Sequence, residues 1–445
     1  MTSLEVCSRC VMDSTAEGFY CTQTGCKFCD EYKARLDSFS SEFGYGYNAE
    51  ESLSKLTLEV KSRSVPESKF DCIVGLSGGL DSAYSLHLAV KAGLRVLAVH
   101  MDNGWNSNLA QINIENLISK TSVQLLTKVV SWPEYRDLQK AFIAADVLDI
   151  EMIYDQAVYG TLFEAATKYK VKTIIAGTNQ ATEGFAMPLN YSYSNKLDVS
   201  NLLDVWKRFG SGRKISTYPF YSTFDNMYDM YWKQIKWVSI LDAIDYSKDN
   251  AIEILKKEYG FIPYPYKHYE SFFTRFYQGY ILPVKFGVDK RKVHLSNLIM
   301  TGSINREEAR KTLTQNPFLS EGTPQEDIDY FLKKINYTPE EFKAYLERPA
   351  IGHSSFASDQ LFIDRYRQLY RIINSIFLYL KTKLVGVFNL FFGKKLSNSN
   401  KRLTSSIEQR GAIKHIGALL FIALTFRKRK GLHRVIAQLA DNSNN

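Results

Sequence analysis

The sequence predicts an α/β protein built on a parallel sheet, preceded by a small metal-binding module and followed by a helical region. Three observations carry this. From Phe70 onwards, short β-rich apolar runs alternate with helical stretches. A glycine-rich turn, SGGLDS, follows the first of these runs directly. Near the N-terminus, four cysteines form two CxxC pairs.

The strands are expected at 70–76 (FDCIVGL), 95–101, 123–130 and 172–177, and the helices near 82–92, 108–120, 134–146 and 155–170. Continuous apolar strands alternating with helices read as a parallel sheet covered on both faces. Such sheets bind ligands beyond the carboxyl ends of their strands. Leu53, Leu56 and Val60 share one face of a further helix before Pro66, after a Ser- and Gly-containing linker, DSFSSEFGYGYN. The divisions expected are a double-CxxC module (1–35), a linker and helix (36–68), the α/β domain (69–219), an aromatic-rich helical region (220–350) and a basic tail (351–445). In the helical region, Asn305 and Glu308 have capping-box spacing.

The chain has 445 residues, 45% of them hydrophobic and 23% charged, as in an ordinary soluble protein of two or three domains. Its start, MTSLEVCSRC, lacks the apolar core of a signal peptide. A cytoplasmic setting is therefore expected, in which clustered cysteines bind metal rather than pair as disulfides. The net charge of +9 is uneven: residues 351–445 carry 16 Lys and Arg against 4 Asp and Glu, a net +12, which leaves a net −3 for the rest. Nothing in the first 350 residues suggests a nucleic-acid partner.

Cys7, Cys10, Cys26 and Cys29 have the spacing of two zinc knuckles, whose four thiolates close a tetrahedral Zn²⁺ site. Such a site supplies roughly 10–16 kcal/mol, enough to order a short segment with little core. Cys21 is a spare in the loop, and Cys72 is a small buried residue in mid-strand.

SGGLDS (77–82) reads either as a tight turn or as a cradle for phosphate. Gly78 and Gly79 let backbone N–H groups approach an anion, and the next helix points its positive end there. Ser77 and Ser82 can donate to phosphate oxygens, and Asp81 can hold Mg²⁺. No G-x-x-x-x-G-K-[ST] is present, which disfavours a Walker-type NTPase.

The series strand, SGGLDS, helix, strand, AVHMDNG resembles the PP-loop ATP pyrophosphatases (adenine nucleotide alpha hydrolase-like). The resemblance implies ATP cleavage between the α- and β-phosphates. It places Ser77, Gly78, Gly79, Asp81 and Ser82 on the pyrophosphate and Val99 to Asp102, with His100, on the adenosine. In AGTNQATEG, Gly177 allows close approach, and Asn179 and Glu183 fall where substrate and Mg²⁺ contacts lie, alongside Asp81. CSRCVMDST, GCKFC, SGGLDS, VHMDNGW and the stretch YKHYESFFTRFYQGYILPVKFGVDKRKVHLSNLIMTGSINREEA together resemble the N-acetyl sugar amidotransferase family, over about residues 5–315.

That family converts a sugar acetamido group into an acetamidino group in surface polysaccharide, such as lipopolysaccharide O-antigen, or flagellar glycan synthesis. The resemblance implies a nucleotide-sugar substrate. It also implies a separate class I glutaminase partner, with a cyclase-like subunit delivering ammonia, since Cys72 lacks a nucleophile-like setting. Lys267, His268, Lys285, Asp289, Lys290, Arg291 and His294 fall in its signature and are candidates for pyrophosphate (Lys285, Arg291) or substrate (Lys267, His268, His294). Tyr269 and Tyr277 are candidates for the sugar or base pocket, and Lys214 is a further phosphate candidate. Two other readings compete. A tRNA sulfur transferase of the same fold is disfavoured because no cysteine follows Cys72, and a silent nucleotide-binding scaffold is disfavoured by intact Ser77, Asp81 and Glu183.

The tail has two apolar stretches, IINSIFLYLKTKLVGVFNLFF and IGALLFIALTF, and a basic run, RKRKGLHR. Lys381 and Lys383 interrupt the first at about 2.5–3.5 kcal/mol each, and the second is too short to span a bilayer. A peripheral helix on anionic lipid, an appendage packed on the body or a disordered tail fits this pattern.

Overall fold

In the computed structural model, residues 4–43, 49–264, 268–316, 318, 324–369, 371–372 and 375 are described, the side chains of 38–43 and 49 excepted. The N-terminal module is a short hairpin, β1 (Cys21–Thr22) and β2 (Gly25–Cys26), leading into α1 (Lys27–Phe43). The helix thus takes in the first half of the stretch expected to be a linker. Helix α2 (Ala49–Ser62) buries Leu56 and Val60 against the sheet domain.

The sheet alternates with helices in the expected order: β3 (Cys72–Gly75), α3 (Leu80–Lys91), β4 (Val96–Asp102), α4 (Asn108–Thr121), β5 (Gln124–Val129), α5 (Trp132–Ala144), α6 (Met152–Lys168) and β6 (Thr173–Ala176). Short helices follow, α7 (Gln180–Glu183), α8 (Val199–Phe209) and α9 (Thr223–Tyr231), then a fifth strand, β7 (Lys236–Ser239), and α10 (Lys248–Tyr259). All five strands are parallel, in the order β5-β4-β3-β6-β7. Strand residues alternate between faces. Cys72, Val74, Ala98 and Ile175 meet α2, α3, α4 and α10 on one side, while Ile73, Leu97, Val99 and Ile174 meet α6 on the other. Burial on both faces is why these strands read as unbroken apolar runs.

Strand β7 corrects the expected boundary at 219, because the sheet domain closes only after it. Four residues, KWVS, at an edge have little periodicity to show. Their place in the sheet comes from pairing with β6, Ile174 to Trp237 and Ile175 to Val238.

The C-terminal region is helical: α11 (Phe272–Phe276), a π-helical run Tyr277–Phe286, α12 (Arg291–Met300), α13 (Arg306–Thr314), α14 (Pro324–Ile335) and α15 (Pro339–Glu347). Asn305 and Glu308 form the expected capping box. Fully buried Trp105, from the loop after β4, stacks on Phe272 and Phe331 and so joins this region to the sheet domain.

The packed chain runs past residue 350. Ile351 N–H bonds Asp146 O, and His353, Phe356, Asp359 and Ile363 are buried. The second apolar stretch and the basic run lie outside the described residues, as does nearly all of the first apolar stretch. Among the described residues no helix is long and apolar enough to cross a membrane.

Candidate active site and metal centre

The strand order reverses direction at β3: the chain moves from β3 to β4 and β5 on one side, then to β6 and β7 on the other. Ligands of such sheets bind at this reversal, outside the carboxyl ends of the strands. A cavity of about 460 Å³ lies there. Ser77, Gly79, Asp81 and Ser82 line it after β3, Val99, His100 and Met101 on β4, and Gly177, Thr178 and Glu183 after β6. Helix α6 adds Tyr154 and Thr161.

SGGLDS is a built loop. Gly78 has φ +84°, and a Cβ on it would stand 2.7 Å from Ala110 O. The Ser82 hydroxyl accepts from Ser77 N–H (3.2 Å) and donates to Gly79 O (3.0 Å), and Ser77 Oγ lies 3.0 Å from it. The serines thus hold the loop open around the first turn of α3, whose leading N–H groups have no intrahelical acceptors. Gly177 closes the far wall, since a Cβ there would stand 2.8 Å from Ser82 N.

Asp81 accepts a hydrogen bond from the hydroxyl of Tyr246. Burial and the Asp81 carboxylate both push that hydroxyl's pKa up, so it stays a donor. His100 is buried, which lowers its pKa; its Nδ1–H donates to Leu76 O (2.7 Å) and Nε2 accepts from Asn106 (2.9 Å). It therefore ties the end of β3 to the loop after β4 as a neutral ring.

Several other candidates lie elsewhere. Asn179 caps α7, accepting from Thr182 N–H at 2.8 Å, and so shapes the wall without lining the cavity. Asp102 holds its own turn through Gly104 N–H (2.8 Å). Lys285 and Arg291 are corrected as pyrophosphate ligands. The Lys285 ammonium is buried on Asp146 (3.0 Å) and the carbonyls of Tyr345 and Arg348, while Arg291 pairs with Asp289 (2.7 Å) and caps α13 through Thr312 O. Lys290 pairs with Glu151 at 3.2 Å. Tyr277 is corrected as a pocket residue, because it is fully buried and donates to Leu148 O. Tyr269 lies under the Arg275 guanidinium, and neither it, His294 nor exposed Lys214 lines the cavity. Lys267 lies outside the described residues.

Of the signature candidates, His268 does line the cavity, together with Glu270, Tyr264 and Lys248, which sequence reasoning missed. Tyr264 donates to Gly78 O at 2.8 Å. The one available signal was that Glu270 stands two positions from His268 in KHYES. Lys248 and Tyr246 carry no motif.

The four knuckle cysteines converge, buried, with their sulfurs within 4.8 Å of one another. The separations of Cys7 from Cys29, Cys10 from Cys26 and Cys26 from Cys29 are 3.9, 3.8 and 3.8 Å. A tetrahedron with Zn–S bonds of about 2.3 Å has edges of about 3.8 Å, so the donor set fits zinc. Backbone N–H groups of Arg9 and Cys10 point at Cys7 Sγ, both at 3.3 Å, as suits a thiolate. Cys21 is exposed and outside the cluster, and Cys72 is fully buried.

The module is clamped on both sides. Arg306 donates to the carbonyls of Cys7 (2.6 Å) and Cys10 (3.0 Å), and Arg35 to Gly184 O (2.7 Å). Gln180 N–H is held by Asp242 (2.7 Å) and Ala181 O by Asn297 (2.7 Å). The turn carrying Glu183 is thus gripped by the knuckle helix, the sheet domain and α12.

A five-stranded parallel sheet with an SGGLDS cradle at its switch point defines a protein of the PP-loop fold, with a four-cysteine knuckle before it and helices after it. Residues 270–370 match the family described as LPS biosynthesis protein WbpG-like, C-terminal domain. The matched stretch extends past residue 350, as the packing of Ile351 to Ile363 does. No curated protein matches the chain. Among solved structures, an NMN synthetase from Francisella tularensis matches at 18% identity and a TM-score of 0.26, covering 49% of this chain and 99% of its own. An NH3-dependent NAD synthetase from Campylobacter jejuni, in complex with the nitrate ion, matches at 16% and 0.25, covering 49% and 100%. The strand order and the cradle, rather than these distant likenesses, carry the fold assignment.

Proposed function

We propose that this chain is an ATP-dependent amidotransferase of lipopolysaccharide synthesis that turns a sugar acetamido group into an acetamidino group. The carrying observation is that one cavity is built from both parts of the chain. The phosphate cradle supplies Ser77 to Ser82, and the edge of the WbpG-like domain brings Glu270 to the same wall.

An amide oxygen is a poor leaving group. Attack by that oxygen on the α-phosphate of ATP expels pyrophosphate and leaves an O-adenylyl imidate. Ammonia adds at the imidate carbon, and AMP departs. The cradle N–H groups and Lys248 would stabilise charge on the phosphates, and Mg²⁺, held by Asp81 and Glu183, would supply the countercharge. The zinc of the knuckle would be structural, since all four positions are filled by cysteine. Ammonia would come from a separate glutaminase, with a cyclase-like subunit, and the substrate would be a nucleotide sugar.

The test is incubation with ATP, Mg²⁺, ammonium and a panel of UDP-linked acetamido sugars. The expected products are AMP, pyrophosphate and a sugar about one mass unit lighter, oxygen having been exchanged for NH. ADP and phosphate would place cleavage at the wrong bond. Glutamine should support turnover only with an added glutaminase.

A further inference from the structure

We propose that His268, oriented by Glu270, is the general base of the ammonia step. This rests on the amidine-forming reading above. His268 Nδ1 lies 3.5 Å from Glu270 Oε1, and both residues line the cavity. With Nδ1–H turned to the carboxylate, Nε2 is the lone pair that can accept a proton, an arrangement of base and orienting carboxylate.

The pair is fixed in a place where such a base is useful. The Glu270 carboxyl carbon is 3.5 Å from where a Cβ on Gly79 would stand, against the phosphate cradle. Its backbone is pinned to the loop after β4: Ser107 N–H bonds Glu270 O (3.0 Å), Phe272 N–H bonds Trp105 O (2.9 Å), and Asn106 bridges to Ser271. The dyad thus lines the cavity between the cradle and the loop after β4, where the proposed reaction puts the α-phosphate. His268 also holds φ +67°, in the left-handed region, which histidine enters more readily than most non-glycine residues.

The chemistry requires one proton to leave. Ammonia attacks the imidate carbon and forms a C–N bond, so the new nitrogen carries three hydrogens and a positive charge. Nε2 of His268 takes one of these protons as the C–O bond to AMP breaks, with its electron pair staying on the phosphate oxygen. The product is the amidinium, and Glu270 stabilises the imidazolium until it releases the proton to solvent. His268 is the catalytic residue and Glu270 the positioning residue.

Two half-reactions separate this role from binding. Sugar-dependent exchange of labelled pyrophosphate into ATP reports adenylation alone, and amidine formation from ammonium reports both steps. Glycine accepts a positive φ without strain, so His268→Gly removes the ring and leaves the backbone at ease. In that variant, exchange should stay within about threefold of wild type while amidine formation falls about 100-fold or more. Added imidazole should restore at least about tenfold of the loss. Glu270→Gln should lower kcat for amidine formation and leave KM for ATP unchanged. Failure of imidazole to rescue, near-normal amidine formation, or loss of exchange along with it would overturn the base assignment. Wild-type protein that exchanges no pyrophosphate with any UDP-linked acetamido sugar would instead overturn the reading on which it rests.

Discussion

Tyr246 donates its hydroxyl to the carboxylate of Asp81, 165 positions earlier in the chain. One Asp81 oxygen is thereby fixed, which orients the carboxylate in the cavity wall. Tyr246→Phe should raise KM for MgATP about fivefold, the equivalent of about 1 kcal/mol for one hydrogen bond, with kcat nearly unchanged. Asp81→Ala should abolish pyrophosphate release while circular dichroism shows a folded protein. A folded Asp81→Ala variant turning over at a near-normal rate would refute the assigned role.

Gly177 sits where β6 ends against the start of α3, and a Cβ there would be 2.8 Å from Ser82 N and 2.9 Å from Asp81 C. These are backbone atoms that cannot swing aside. Gly177→Ala should cost about 1–3 kcal/mol in denaturant unfolding, as overpacking does. ATP affinity should fall with it, because the shifted atoms belong to the cradle. Unchanged ATP binding in this variant would separate the cradle from the nucleotide site.

The geometry of the four knuckle cysteines predicts one zinc per chain in freshly purified protein by elemental analysis. Cys10→Ser should lose the metal and Cys21→Ser should keep it, since Cys21 is exposed and apart from the cluster. Chelation should lower Tm. It should also weaken MgATP binding, because Arg35 ties the knuckle helix to Gly184 beside Glu183. Iron in place of zinc would overturn the zinc assignment, since a tetrahedral set of four thiolates accepts either metal.

His353 is buried as a neutral ring, with Nδ1–H donating to Asn201 (2.8 Å) and Nε2 accepting from Asp149 N–H (3.3 Å). Burial lowers its pKa to about 4. Below its ordinary value of about 6.5 the unfolded chain binds the proton first, so stability is full above that pH and falls as pH drops towards 4. The loss should approach about 3 kcal/mol, and His353→Gln should flatten this part of the pH–stability curve. Ending the chain at residue 350 should destabilise the body more than ending it at 375, because it also removes His353, Phe356 and Ile363. Equal stability of the two truncations would return the boundary to 350.

Local pattern alone determined much of this protein. The four principal strands, the SGGLDS turn, each CxxC pair and the Asn305–Glu308 cap depend on residues a few positions apart, where propensity, pairing and sterics act directly. Tertiary structure decided the rest. Lys285 and Tyr277 looked free to serve a ligand because their partners, Asp146 and Leu148, come from elsewhere in the chain, whereas Arg291 has its partner, Asp289, two positions before it. Strand β7 exists because β6 offers it an edge, and Tyr246 and Lys248 reach the cavity because the chain returns there after β7. A buried charge or hydroxyl is satisfied by whichever group the fold brings within about 3 Å, and that group leaves no mark in the neighbouring sequence.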